Sequence, residues 1–296
     1  MSNATSAAPV MLGMKMPDLD VWSERVTVAL GQNPSAFTGP GTNAYLVGTG
    51  HARILIDPGQ GEPAFLPVLA RAMERCGCER IQEIVLTHGH PDHIGGVRSV
   101  MQRFGRVRVR KLPSALFDGP YADLGLEPLA EGEPVKTEGA TLRGIHAPGH
   151  APDHLNFMLE EERALFSGDN VLGVGTTVIP AESGDLADYL RSLDKLLAEK
   201  PARIYPAHGP VIADGVAKLR EYIAHRAERE RQIVGALASG PKTAMEIVQI
   251  VYAAYPPALH AAAAQSVIQH LRKLLRERRV TRDDAAGDVG ARWTRV

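Results

Sequence analysis

Residues 83–96 read EIVLTHGHPDHIGG. The run EIVLT predicts a buried strand, HGHPDHIGG is a loop by composition, and helical spacing resumes over 97–104. His88, His90, Asp92 and His93 therefore sit between a strand and a helix. Three imidazoles and a carboxylate mix nitrogen and hard oxygen donors, a combination that zinc and similar divalent ions accept. A loop can turn alternate residues to opposite sides, so the cluster suits two metals as readily as one. The bland alternative, a histidine-rich surface turn, explains neither the strand before it nor the helix after it.

Working outward, the same arrangement recurs. Residues 26–30, 44–48 and 53–57 read as strands and 63–75 as an amphipathic helix. Strand-like segments at 141–146, 164–167 and 203–205 lead into APGH, GDN and PAHG, which carry His150, Asp169 and His208. Layered α/β folds concentrate functional loops just past apolar strands. A packed sheet would bring these three residues to one edge beside the first cluster, giving seven candidate ligands.

The chain has 296 residues, 44% hydrophobic and 23% charged, and suits one large domain or two unequal ones. Its 33 basic and 34 acidic residues give a net charge of -1, which excludes a global attraction to polyanions or membranes. The only cysteines, Cys76 and Cys78, are too close together to staple distant segments, so a disulfide scaffold is excluded and a cytoplasmic location is expected. Residues 1–20 read as a flexible leader without the features of a signal peptide. No run of about 18 apolar residues predicts a membrane span.

The composition shifts near 219. Residues 219–238 predict a connecting helix rich in Arg and Glu, broken by Ser239-Gly240-Pro241. Residues 239–296 then read as helix, helix, hairpin, with nine basic residues against five acidic. The expected organisation is a leader at 1–20, a main domain at 21–218, the connecting helix at 219–238 and a small domain at 239–296.

The motif of His88, His90, Asp92 and His93, followed in order by His150, Asp169 and His208, resembles that of the metallo-β-lactamase fold hydrolases. The resemblance implies an α/β fold, an αββα sandwich with a small C-terminal helical winged-helix-like domain. It also implies one metal held by His88, His90 and His150, another by Asp92, His93 and His208, and Asp169 bridging them. Two divalent ions are the expected cofactors, zinc first, with Mn2+ or Fe2+ as alternatives. The commonest zinc β-lactamases have cysteine where Asp169 stands, which disfavours antibiotic hydrolysis; di-iron relatives have glutamate where His90 stands, which disfavours oxygen reduction. The stretches GPGTNAYLVG (39–48), GDNVLGVGTTV (168–178) and IYPAHGPVI (204–212), with the helical tail, resemble the β-lactamase-like protein 2 family, which includes endoribonucleases acting on single-stranded RNA.

Water on a divalent ion loses its proton near neutral pH, so a metal-bridging hydroxide is the expected nucleophile, oriented by Asp92 as the catalytic carboxylate. His154, Asp57 and Thr87 are candidates for bracing the ligands from behind. Thr176 and Thr177, beside Gly173 and Gly175, are candidate substrate contacts. On the last long helix, Arg272, Lys273, Arg276, Arg278 and Arg279 are candidate phosphate contacts, and a hairpin carrying Arg282, Arg292 and Trp293 would act as a wing.

The expected function is therefore binuclear, metal-dependent cleavage of phosphodiester bonds in single-stranded RNA. The alternative is a thioesterase or lactonase of the hydroxyacylglutathione hydrolase type acting on a small ester or thioester. A third reading, a nucleic-acid-binding regulator with a metal-stabilised domain, fits poorly with so many ligands, because structural zinc sites close with four.

Overall fold

The computed structural model describes residue 11 and residues 13–283 and 287–296; of the leader expected over 1–20, residues 1–10 and 12 lie outside these. Leu19 and Asp20 already belong to a strand. The first sheet runs in chain order through β1 (Leu19–Ser23), β2 (Val26–Leu30), β3 (Asn43–Val47), β4 (Ala52–Ile56), β5 (Arg80–Val85), β6 (Arg108–Lys111) and β7 (Leu126–Pro128). Pairing is antiparallel from β1 to β4 and parallel from β4 to β7. The second sheet has the order β12 (Arg203–Pro206), β11 (Ala164–Gly168), β10 (Leu155–Leu159), β9 (Ala140–His146) and β8 (Pro134–Thr137), with only β11 and β12 parallel.

Alternation along the strands explains why these sheets stack. On β3, Ala44 and Leu46 face a cluster with Leu69 and Val97, while Tyr45 and Val47 face Phe157 and Phe166 of the second sheet. Every residue of β2 and β3 is buried, as in a sheet covered on both faces. Helices α1 (Phe65–Arg75) and α3 (Val97–Phe104) cover the first sheet. Helices α4 (Leu186–Ala198) and α5 (Gly215–Ala236) cover the second, with Leu193 and Tyr222 packed on Met158 and Leu165. The result is the αββα sandwich.

The HGHPDHIGG loop contains a one-turn helix, α2 (Pro91–Ile94), with Pro at its start, where the missing N–H is no loss. The helix expected over 219–238 begins earlier, at Gly215, because the Asp214 side chain caps it through the Ala217 amide. The C-terminal winged helix domain contains α6 (Ala244–Val251), α7 (His260–Arg276), the β13 (Val280–Arg282) and β14 (Trp293–Arg295) hairpin, and α8 (Gly287–Gly290). A Thr243–Glu246 capping box starts α6. Trp293, expected in a hairpin acting as a wing, is fully buried against Ile247, Val267 and Leu271, because a small domain needs its largest aromatic side chain for a core. No helix among the described residues is long and apolar enough to cross a membrane.

Candidate metal centre

All seven expected ligands lie just past strand ends and converge in two groups. The donor atoms of His88, His90, His150 and Asp169 lie within 4.8 Å of one another, as do those of Asp92, His93, Asp169 and His208. Asp169 joins the groups: its Oδ2 is 3.4 Å from His150 Nε2, while its Oδ1 is 3.4 Å from His93 Nε2 and 3.1 Å from His208 Nε2.

Hydrogen bonds behind the rings fix which nitrogen faces inward. Thr87 Oγ1 donates to Asp57 Oδ2 (2.7 Å), so the hydroxyl oxygen accepts from His88 Nδ1 (3.0 Å) and leaves His88 Nε2 with a lone pair. His150 Nδ1 donates to the Val178 carbonyl (2.9 Å), His93 Nδ1 to Asp57 Oδ2 (2.8 Å) and His208 Nδ1 to the Gly41 carbonyl (3.2 Å). His90 Nδ1 lies 2.9 Å from His88 Nε2 and 3.1 Å from His150 Nε2 and could donate to only one. Burial lowers His88 well below the usual imidazole range and His90 to about 4, and it also lowers His150. Three neutral rings thus press lone pairs together, an arrangement that a cation relieves.

The second group differs in charge. Burial opposes ionisation of Asp92 and Asp169, yet the His93 and His208 rings beside them hold both carboxyls below their usual range. Burial likewise opposes protonation of the imidazoles, but Asp92 and Asp169 outweigh it, raising His93 well above its usual value and His208 to about 9. His93 Nε2, His208 Nε2 and Asp169 Oδ1 are buried without a hydrogen-bond partner. Two buried carboxylates beside two inward-facing ring nitrogens make a place that a divalent ion fits. Tetrahedral ligands about 2.0–2.1 Å from zinc stand about 3.3 Å apart, close to the spacings in both groups.

The expected bracing residues take distinct places. Asp57 binds the Thr87 amide (2.8 Å), its hydroxyl and His93. His154 is buried, stacks on His88 with centroids 4.7 Å apart, and accepts a hydrogen bond from the Asp169 amide (3.1 Å). A Cβ on Gly168, whose φ is +49°, would stand 2.6 Å from that His154 ring, so only glycine lets the chain turn Asp169 inward. Of the expected substrate contacts, Thr176 and Thr177 both line the cleft; Thr176 is half-buried, and Thr177 is buried with Oγ1 3.2 Å from His150 Nδ1.

Several contributors were not legible in the sequence. Asn43 Nδ2 donates to the Pro206 (2.9 Å) and Gly209 (2.8 Å) carbonyls, and Thr42 Oγ1 to the Asp92 carbonyl (3.0 Å), so the 41–43 turn braces both the His208 and the Asp92 loops. Their only signal was their place in GPGTNAYLVG. Buried Lys111 pairs with Asp153 (2.9 Å) and Asp118 (2.5 Å), anchoring the segment whose Phe117 ring lies 5.1 Å from His90.

The centre opens into a cavity of about 1120 Å³, lined on one side by Phe37, Leu116 and Phe117 and roofed by C-terminal residues such as Tyr252, Leu259 and Ile268. The expected phosphate contacts are mostly engaged elsewhere. Arg272 pairs with Asp288 (2.6 Å), Lys273 with Glu230 (2.7 Å), Arg276 with Asp185 (2.7 Å) and Arg279 with Glu230 (2.6 Å). Among the described residues, Arg278 alone of the five has no ion pair.

The description "Metallo-beta-lactamase superfamily" matches residues 37–208, and "Beta-lactamase associated winged helix domain" matches residues 243–293. A Beta-lactamase-like protein 2 homolog of Drosophila melanogaster is 41% identical over 259 residues, covering 84% of this chain and 87% of its own. The Atrochrysone carboxyl ACP thioesterase of Aspergillus chevalieri is 39% identical over 275 residues, covering 90% and 85%. A beta-lactamase domain protein from Burkholderia ambifaria shares the fold, with a TM-score of 0.80 over 99% of this chain and 96% of that one at 22% identity.

Proposed function

The chain belongs to the metallo-β-lactamase superfamily of hydrolases, with an appended winged helix domain, and from that premise we propose that it hydrolyses a carboxylic thioester or ester held in the cleft beneath its C-terminal helices. In this reading His88, His90 and His150 hold one divalent ion, Asp92, His93 and His208 a second, and Asp169 joins them; the nitrogen-rich donor set favours zinc. When bound, such ions acidify a water and polarise the carbonyl under attack. Asp92, the most exposed carboxylate of the set, borders the cleft and orients the attacking oxygen. Asp57 and Thr87 keep the ring nitrogens aimed inward, and His154 holds the Asp169 backbone.

One water is consumed: its oxygen bonds to the acyl carbon, the C–S bond breaks, and the acid and thiol leave. A thiolate with a pKa of about 8.5 departs without a strong general acid. That suits a centre in which His154 is buried behind the ligands and has no access to a leaving group. The observation that carries the reading is the cleft itself, apolar and aromatic along its lip and roof, in a protein whose tail cations are mostly paired internally. The thioesterase named among its relatives supports the same class. Single-stranded RNA cleavage draws less support, because the tail cations expected to contact phosphate are mostly paired with carboxylates. The free thiols Cys76 and Cys78 suit a reducing compartment such as the cytoplasm.

The test sets zinc-loaded protein against acyl N-acetylcysteamine thioesters and single-stranded RNA in parallel, with Asp92→Ala as control. Thioester turnover lost in the control supports the reading. RNA cleavage lost in the control, with no thioester turnover, would replace it with the nuclease.

A further inference from the structure

Helix α5 presents three side chains to the cleft that the centre does not use: His225, Arg226 and Arg229. Both guanidiniums are deeply buried, Arg226 at 3% and Arg229 at 7% exposure, and among the described residues neither has a carboxylate partner. Arg226 donates to the Thr177 carbonyl (2.5 Å) and lies 5.3 Å from the Tyr189 ring centroid. Arg229 donates to Gln232 Oε1 (3.0 Å) and the Val251 carbonyl (3.1 Å) and stacks 4.0 Å over Tyr252. The Nε–H of each is buried with no acceptor.

Guanidinium cannot shed its proton, so a buried pair without counter-charge is costly unless something completes it. Nearby carboxylates are committed: Glu230 takes Lys273 and Arg279, Asp288 takes Arg272 and Arg282, and Asp185 takes Arg276. Burial and the two arginines push His225 down to about 4, so it adds no charge but keeps a polar edge in the cleft wall.

We propose that Arg226 and Arg229 form an anion subsite in the cleft that binds a carboxylate at the far end of the substrate's acyl group. This rests on the thioester reading above and narrows it to acyl chains bearing a second, anionic end. Each guanidinium keeps an Nε–H without an acceptor, and a carboxylate has two oxygens to offer the pair. Tyr252, Ile268 and Leu172 line the cleft for the carbon skeleton.

The experiment uses zinc-loaded full-length protein and N-acetylcysteamine monothioesters of linear dicarboxylic acids from succinyl to suberyl, each beside its terminal amide and its ω-phosphonate analogue. At one chain length the acid should exceed the amide in kcat/KM by about tenfold to a hundredfold, the worth of a charge-assisted hydrogen bond. Arg229→Gln should abolish that preference, lowering kcat/KM for the acid about tenfold or more beyond any loss seen with the amide, and Arg229→Lys should restore part of it. Because Arg229 also holds Val251, Tm and zinc content are measured for each variant. Equal turnover of acid and amide at every length, a preference that survives Arg229→Gln, or a phosphonate outrunning the acid would overturn the carboxylate subsite.

Should no thioester be hydrolysed, the thioester reading falls, and calorimetric titration of 1-naphthoate decides the subsite separately. Binding weakened about tenfold or more in Arg229→Gln retains it, whereas equal binding by both proteins, as for a carboxylate seated on the metals, rejects it.

Discussion

The Asp57 carboxylate stands 2.8 Å from His93 Nδ1, and both side chains are almost wholly excluded from water. A carboxylate behind an imidazole fixes the tautomer and raises the basicity of the inward-facing nitrogen. Asp57 does this from a left-handed backbone conformation (φ +50°) at the end of β4, and it also fixes Thr87, which in turn sets His88. One residue thus orients a ring in each ligand group.

Replacing Asp57 with Asn removes the negative charge and gives His93 and Thr87 a competing donor. Zinc affinity should fall about tenfold to a hundredfold, more at the site containing His93 than at its neighbour. Competition against a chromophoric chelator reads both steps. An unchanged second binding constant would show that His93 needs no such support.

Metal removal should expose a characteristic pH dependence. His208 is raised to about 9 and His93 is raised as well, so the stability they contribute is full below the unfolded imidazole value of about 6.5 and is lost as pH rises toward 9. His88, His90 and His150 are lowered, so they penalise the fold as pH falls below about 6.5, most steeply toward the value of about 4 at His90. Chelated protein should be most stable near pH 6.5 and lose roughly 5 °C or more in Tm by pH 9. With zinc loaded, the protons on His93 and His208 are already displaced, and the alkaline limb should flatten. Calorimetric Tm profiles with and without chelator test both limbs.

The centre was legible because its chemistry is local: His88, His90, Asp92, His93, His150, Asp169 and His208 each follow an apolar strand, and strand ends share an edge once the sheets form. The tail was less so. A run such as RKLLRERR shows positive charge but not where the matching carboxylates are, and these lie on α5, at Asp288 and at the start of α4. Trp293 beside two arginines read as a wing contact, whereas its indole completes the core of the winged helix domain. Lys111 and Asp153, far apart in the chain, carried no signal of a buried pair.

Lys273 and Arg279 illustrate the difference in a testable way. Both hold Glu230, whose carboxyl burial would raise but whose partners, His270, Lys273 and Arg279, bring to about 2. The double change to Gln should leave RNA affinity unaltered and lower stability by about 1–2 kcal/mol at pH 7, a loss that shrinks as pH falls below about 4 and Glu230 takes up a proton. Filter binding and urea unfolding give the two answers. A large drop in RNA binding without loss of stability would return these residues to the nucleic-acid role.

Asn43 offers the sharpest separation between fold and site. Its amide donates to the carbonyls of Pro206 and Gly209, on either side of His208, and its backbone N–H binds Ala207 (2.7 Å). Asn43→Asp preserves the shape but turns a buried donor into a charged acceptor facing two carbonyls, a change that should cost about 3 kcal/mol or more. The 206–209 turn must then open, carrying His208 away from Asp92 and Asp169. Stability and zinc binding at the His208 group should fall together, while the group of three imidazoles keeps its ion. Asn43→Ala, which removes the donors without adding charge, should cost about 1–3 kcal/mol and spare more of the second ion. Should Asn43→Asp bind two zinc ions with wild-type affinity, His208 would be held by its own strand and not by this turn.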